Sequence, residues 1–135
     1  MTDNGDPRVR AVMVPSPIVV GRLATVADAI ELMQGNQISS LVIDRRDDRD
    51  EYGLLTVTDI ASRVIGEELA PERTNVYEIM SKPVLTVDVD MGLKYAVRLL
   101  VRFGVSRALV MERGKLVGIV TMRDMVMRYL APGEG

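Results

Sequence analysis

The chain has 135 residues, 47% apolar and 27% charged, with a mean hydropathy of +0.13 and a net charge of −2 from 17 Lys/Arg against 19 Asp/Glu. That content supports one compact domain or two small intimate ones and excludes global disorder. The absence of both Cys and His excludes disulfides, thiol or imidazole catalysis, and Cys- or His-ligated metals. No basic excess exists to neutralise nucleic-acid phosphates.

Taken in chain order, the signals begin with a short helix at Val9–Met13. An extended piece, Ile18-Val19-Val20, follows a proline. Thr25 with Asp28 three residues on forms a capping box, and Val26, Ala29, Ile30 and Met33 follow at helical spacing up to Gly35-Asn36. Two β-rich runs, Leu41-Val42-Ile43 and Tyr52–Thr56, flank the charged turn 45–51, and a second helix is predicted from about Thr58 to Leu69. The polar linker 72–75 and a short helix at Val76–Met80 lead to Val84-Leu85-Thr86-Val87. A helix with Asp90 as N-cap then carries the stripe Leu93, Ala96, Val97 and Leu100 and closes at Gly104. Strands at Ala108–Met111 and Leu116–Thr121 surround the turn Arg113-Gly114-Lys115, and a last helix is predicted from about Arg123 to Leu130.

The second half of that order copies the first. At an offset of 67, Met13 meets Met80, Ala29 meets Ala96, Leu32 meets Leu99 and Ser39 meets Ser106; at an offset of 65, Gly53 meets Gly118, Thr56 meets Thr121, Asp59 meets Asp124 and Arg63 meets Arg128. The loop 45–52 accounts for the two-residue difference. The organisation is therefore β-α-β-β-α twice, over residues 8–70 and 76–131, an α+β fold. A copy of this size is near the lower limit for a self-sufficient core. The two are expected to pack sheet-to-sheet about a pseudo-two-fold axis, and neither half is expected to fold well alone.

Gly53-Leu54-Leu55-Thr56-Val57-Thr58-Asp59 recurs as Gly118-Ile119-Val120-Thr121-Met122-Arg123-Asp124, a Gly-apolar-apolar-Thr-x-x-Asp pattern at a strand-to-helix junction. Thr ends the strand with a hydroxyl that can cap the coming helix or meet an oxyanion. The helix start offers unpaired N–H groups and partial positive charge, a site suited to an anion. Asp in the first turn can accept from a vicinal diol. Thr-x-x-Asp is equally a plain capping motif. Within this repeat, the pattern resembles the CBS domain, and the chain from about Val9 to Leu130 resembles a tandem CBS pair, or Bateman module.

That resemblance implies a regulatory ligand and no catalytic cofactor: an adenosine-containing nucleotide held in clefts between the two repeats, AMP first, with ATP, ADP, NAD or S-adenosylmethionine as the other options. It gives Thr to phosphate and Asp to ribose hydroxyls, and it puts Arg107 beside phosphate. For the repeat 2 cleft the expected contacts are Leu85, Thr86, Val105, Ser106, Arg107, Ala108, Thr121, Arg123 and Asp124. For the repeat 1 cleft they are Val19, Ile38, Ser39, Ser40, Leu41, Thr56, Thr58 and Asp59. The apolar members would wall an adenine slot; ordinary core packing is the other reading for each. Arg107 and Arg123 stand where copy one has Ser40 and Thr58, so copy two is expected to hold phosphate better.

Arg63 and Arg128, four residues after each motif Asp, suit i,i+4 pairs. The loop 44–51 is expected to be a solvated hairpin tip, its interleaved arginines opposing a divalent-ion site. Met122, Met125 and Met127 suit either core or an adaptable interface. The resemblance also implies a homodimer formed through such helices. No apolar run reaches the ~20 residues of a membrane helix, and the opening segment Met1–Asp6 is acidic and polar rather than an export signal. The expectation is a cytoplasmic sensor acting on an unknown protein target, not an enzyme, with no nucleic-acid partner and no membrane insertion. The alternative is a ligand-independent adaptor whose surface is its function.

Overall fold

A computed structural model describes residues 7–131; the opening segment Met1–Asp6 lies outside them. The elements in order are α1 (Val9–Val12), β1 (Val14–Pro15), β2 (Val19–Val20), α2 (Val26–Asn36), β3 (Ser40–Ile43), β4 (Gly53–Thr56), α3 (Val57–Asp59, continuing as a π-helix over Ile60–Ile65), 3₁₀ turns at Pro71–Arg73 and Val76–Glu78, β5 (Thr86–Asp88), α4 (Leu93–Phe103), β6 (Arg107–Glu112), β7 (Lys115–Thr121) and α5 (Met122–Tyr129). This is a mixed α+β chain with two sheets, one ordered β2-β3-β4 and the other β1-β7-β6-β5.

The chain divides into two compact units, Ile18–Val84 and Met1–Pro17 with Leu85–Gly135. The sequence repeat and the packing unit are thus offset. α1 is written at the head of repeat 1 yet buries Val9 and Val12 among Val87, Ala96, Leu100 and Val120 of repeat 2. Its counterpart, the turn at Val76, buries Val76 and Ile79 among Val26, Ala29, Leu41 and Leu55 of repeat 1. The backbone repeats the arrangement: Val26 N–H donates to the Thr74 carbonyl at 2.8 Å, and Leu93 N–H to the Pro7 carbonyl at 3.0 Å. Each lead-in segment therefore satisfies the first donor of a long helix.

The helix ends differ from expectation in several places. Asp90 does not cap α4: the N-cap is Gly92, without a side-chain bond, and the Asp90 carboxylate faces Arg10 at 3.4 Å. α2 runs through Gly35 and Asn36 and ends at Gln37, which adopts left-handed φ 54. The Thr25–Asp28 capping box is present in both directions, at 3.0 and 3.3 Å. The helix predicted from Thr58 to Leu69 is instead a single α-turn passing into a π-helix that ends at Ile65, with Gly66 N–H donating to the Ala61 carbonyl at 2.9 Å.

The motif glycines are required by the lead-in segments. A Cβ at Gly118 would lie 2.6 Å from the Met13 Sδ and 2.9 Å from the Val14 carbonyl oxygen; one at Gly53 would meet the Met80 sulfur. Met13 and Met80 are the residues that align first when the halves are superposed in sequence. β1 extends this crossing, with Val14 opposite Ile119, and the equivalent Ser81 bridges Leu54.

Candidate functional site

Each unit brings its Thr-x-x-Asp motif to one end of its hairpin. In repeat 2, Arg107 lies opposite Thr121 across β6 and β7. The Ser106 carbonyl accepts from Met122 N–H at 2.8 Å, and the Thr121 hydroxyl, as N-cap of α5, accepts from Asp124 N–H at 2.9 Å. In repeat 1, Ser40 lies opposite Thr56, the Ser39 carbonyl accepts from Val57 N–H at 3.1 Å, and Thr56 accepts from Asp59 N–H at 3.2 Å. Arg123 and Thr58 are exposed in the first turns of α5 and α3.

The two junctions differ at the carboxylate. Asp59 folds back onto Thr56, accepting from its backbone N–H at 2.9 Å and from its hydroxyl at 3.0 Å. Both polar groups of the repeat 1 motif are engaged with each other. Asp124 makes no such return. Its carboxylate lies 4.0 Å from Arg128 Nε and is about a quarter exposed, and the Thr121 hydroxyl has no acceptor for its own proton among the described residues. Repeat 2 therefore holds a hydroxyl donor and a carboxylate acceptor available to a third party, with Arg107 across the ladder and Arg123 on the adjoining turn.

The remaining expected contacts are distributed unevenly. Leu85 is half-buried and its carbonyl accepts from Leu109 N–H at 2.9 Å; Thr86 is exposed opposite Leu109. Val105 is 39% exposed where α4 ends, and Val19 is 41% exposed on β2. Ile38, half-buried, donates its N–H to the Met33 carbonyl at 3.0 Å where α2 ends. Leu41 and Ala108 are 1% and 0% exposed. They occupy inward-facing positions of β3 and β6, and their side chains belong to the core.

Arg63 pairs with Glu67 at 3.2 Å rather than with Asp59, because that carboxylate is held by Thr56 and the π-helical winding shifts the following turn. Arg128 keeps the expected direction toward Asp124 and also donates to the Met13 carbonyl at 3.3 Å. The loop 44–51 is not a free tip. The Asp50 side chain is only 10% exposed, pairs with Lys82 Nζ at 2.7 Å and accepts from Arg46 N–H at 2.8 Å. The Lys82 ammonium and the Arg46 N–H hold its carboxyl well below the usual carboxylate range. On α5, Met125 is core, whereas Val126 and Met127 are about half exposed. Sequence reasoning missed which motif closes on itself. Both motifs carry the same Thr-x-x-Asp pattern, and the difference lies in the rotamer of the carboxylate.

No helix among the described residues is long and apolar enough to cross a membrane. The CBS-domain family model matches residues 9–66 and 76–131. An uncharacterised protein of Methanopyrus kandleri is 38% identical over 95 residues, covering 70% of this chain and 48% of its own length. The chain spans about a third to three-fifths of the first curated relatives it matches. Among solved structures, the hexameric CBS-CP12 protein from bloom-forming cyanobacteria superposes with a TM-score of 0.86 at 31% identity, covering 92% of this chain and 72% of its own. An uncharacterised conserved protein from Pyrococcus horikoshii superposes with a TM-score of 0.82 at 27% identity, covering 96% and 97%. With both halves matched, the chain belongs to the CBS-domain family as a tandem pair of CBS domains.

Proposed function

We propose that this chain is a regulatory module that binds an adenosine-containing nucleotide, AMP first, in the cytoplasm and as a homodimer. It senses the ligand without transforming it. The observation that carries the reading is the open Thr121–Asp124 pair, a donor and an acceptor unsatisfied by each other beside two guanidiniums. Thr121, Arg107 and Arg123 suit a phosphate, for which Arg offers forked charge-assisted hydrogen bonds. Asp124 suits ribose hydroxyls. Leu85 and Val105 offer accessible apolar surface to a base.

Repeat 1 is the weaker site. Occupying it costs the Thr56–Asp59 bonds, and Ser40 and Thr58 bring no charge. One ligand per chain is the expected stoichiometry. Ligand binding then shifts the population of conformers by its differential affinity for them, and a target protein reads the shift.

Titration calorimetry of the full chain with AMP, ADP, ATP, NAD and S-adenosylmethionine tests this. One site per chain is expected, and Arg107→Ala with Arg123→Ala weakens it at least about tenfold. No heat with any of the five at millimolar concentration removes the sensor reading. A target captured equally with and without nucleotide would favour a ligand-independent adaptor.

A further inference from the structure

Thr56, Asp59 and Arg63 of repeat 1 are matched residue for residue by Thr121, Asp124 and Arg128 of repeat 2. Yet the first set is closed on itself and the second is open. The cause of the difference therefore lies outside these residues. The arginines differ in what else they meet. Arg63 Nε lies 3.2 Å from the Glu67 carboxylate. At the repeat offset Glu67 becomes Pro132, so that position brings Arg128 no competing carboxylate. The Arg128 guanidinium faces other groups: Nε lies 4.0 Å from Asp124 Oδ1, and Nη1 donates to the Met13 carbonyl at 3.3 Å.

Both contacts lie within one compact unit. α5 is a regular α-helix over Met122–Tyr129, so positions 124 and 128 share a face one turn apart. Met13 is the C-cap of α1 and leads into β1, which pairs with β7. The lead-in segment thus anchors one end of the guanidinium. Arginine carries its N–H donors in a rigid fork, so one nitrogen can bind a carbonyl while another faces a carboxylate. Among the described residues, Arg63 makes no equivalent bond to the Met80 carbonyl. A carboxylate at this junction can return to the N–H and hydroxyl of the capping threonine, as Asp59 does, or turn along the helix toward the arginine, as Asp124 does.

We propose that Arg128 is the positioning residue of the repeat 2 site. Anchored on the Met13 carbonyl, it holds the Asp124 carboxylate away from the Thr121 N–H and leaves the motif hydroxyl and carboxylate free for a ligand. Arg128 acts through Asp124 and does not touch the ligand. The inference rests on the nucleotide reading above and adds the group that keeps the site open.

Two measurements on the full chain test it, and the first needs no ligand. In amide-exchange spectra of the free protein, Thr56 N–H is expected to exchange slowly and Thr121 N–H quickly. In Arg128→Met the carboxylate closes, and exchange at Thr121 slows about fivefold or more toward the Thr56 pattern. An unchanged Thr121 amide overturns the proposal. The second measurement is titration calorimetry with AMP. If about four-fifths of the molecules close, Arg128→Met binds about fivefold more weakly. In an Asp124→Asn background the same substitution adds no further loss, because its effect passes through that carboxylate. An equal loss in both backgrounds makes Arg128 a general source of positive charge and overturns the positioning role. Arg128 is about half exposed, and a cooperative thermal melt shows the variant folded. Arg128→Gln, which keeps a donor for the Met13 carbonyl, gives the same results should the Met variant fail to fold. A wild type silent toward AMP and the other nucleotides overturns the sensor reading, and the Thr121 amide still confirms or overturns the hold of Arg128 on Asp124.

Discussion

At the two strand-to-helix junctions the same residues do different work. Thr56 and Asp59 form a reciprocal box, while Thr121 and Asp124 make only its first half. A capping box and a ligand cradle use the same donor and acceptor, so a motif that completes the one has less to give to the other. The duplicated sequence thus supports two roles: repeat 1 invests its motif in its own helix, and repeat 2 leaves its motif open.

The comparison can be broken most sharply at the glycines that open the two motifs. Gly118→Ala drives a Cβ toward both Met13 Sδ and the Val14 carbonyl oxygen, and the backbone atom cannot step aside. Gly53→Ala meets only the Met80 side chain, which can change rotamer. The expected losses are about 3 kcal/mol for Gly118→Ala and about 1 kcal/mol for Gly53→Ala in chemical denaturation. Equal losses would mean that the lead-in segments do not cross the two hairpins as described.

The junctions themselves come next. Thr56→Val removes a cap whose hydroxyl makes two bonds and leaves Asp59 without one of its donors, for an expected loss of about 1.5 kcal/mol. Thr121→Val removes one accepted bond, for about 1 kcal/mol or less. Nucleotide affinity should respond in the opposite order, falling with Thr121→Val and Asp124→Asn and little with Thr56→Val. If stability and affinity fell together in both repeats, the division of roles would be lost. A smaller contrast lies at the hairpin tips. Arg113 and Gly114 take φ 53 and φ 80, the left-handed pair of a two-residue turn, so Gly114→Ala should cost about 1 kcal/mol.

Much of the fold is legible in the sequence. The duplication, the order of elements, the capping box at Thr25 and the Arg113-Gly114-Lys115 turn all follow from local chemistry, which the sequence carries. The exchange of lead-in segments was not legible. Val9 and Val12 show a helix that needs a core, but they do not say which of two similar cores receives it. The same holds for Asp90, a sound N-cap by residue type, displaced because the Pro7 carbonyl reaches Leu93 from a distant part of the chain. The open state of Asp124 depends on a side-chain rotamer.

The long hairpin of repeat 1 offers the last and smallest contrast. Where repeat 2 turns in two residues, repeat 1 folds an acidic loop inward, and Asp50 is the anchor against Lys82. The Lys82 ammonium is the larger cause of its lowered pKa and the Arg46 N–H the next. A carboxyl lowered in the folded state contributes stability that is complete above its unfolded pKa of about 3.9 and is lost as pH falls through the folded value. Asp50 should therefore matter uniformly from pH 7 to pH 5, and its contribution should shrink below about pH 4. In thermal melts, Asp50→Asn should lie below the wild type at neutral pH, and the two curves should converge on acidification. Lys82→Met should show the same convergence, since it removes the other half of the pair. Curves that stay parallel to pH 3, a pH about one unit below the unfolded value, would mean that the pair holds the loop without stabilising the unit.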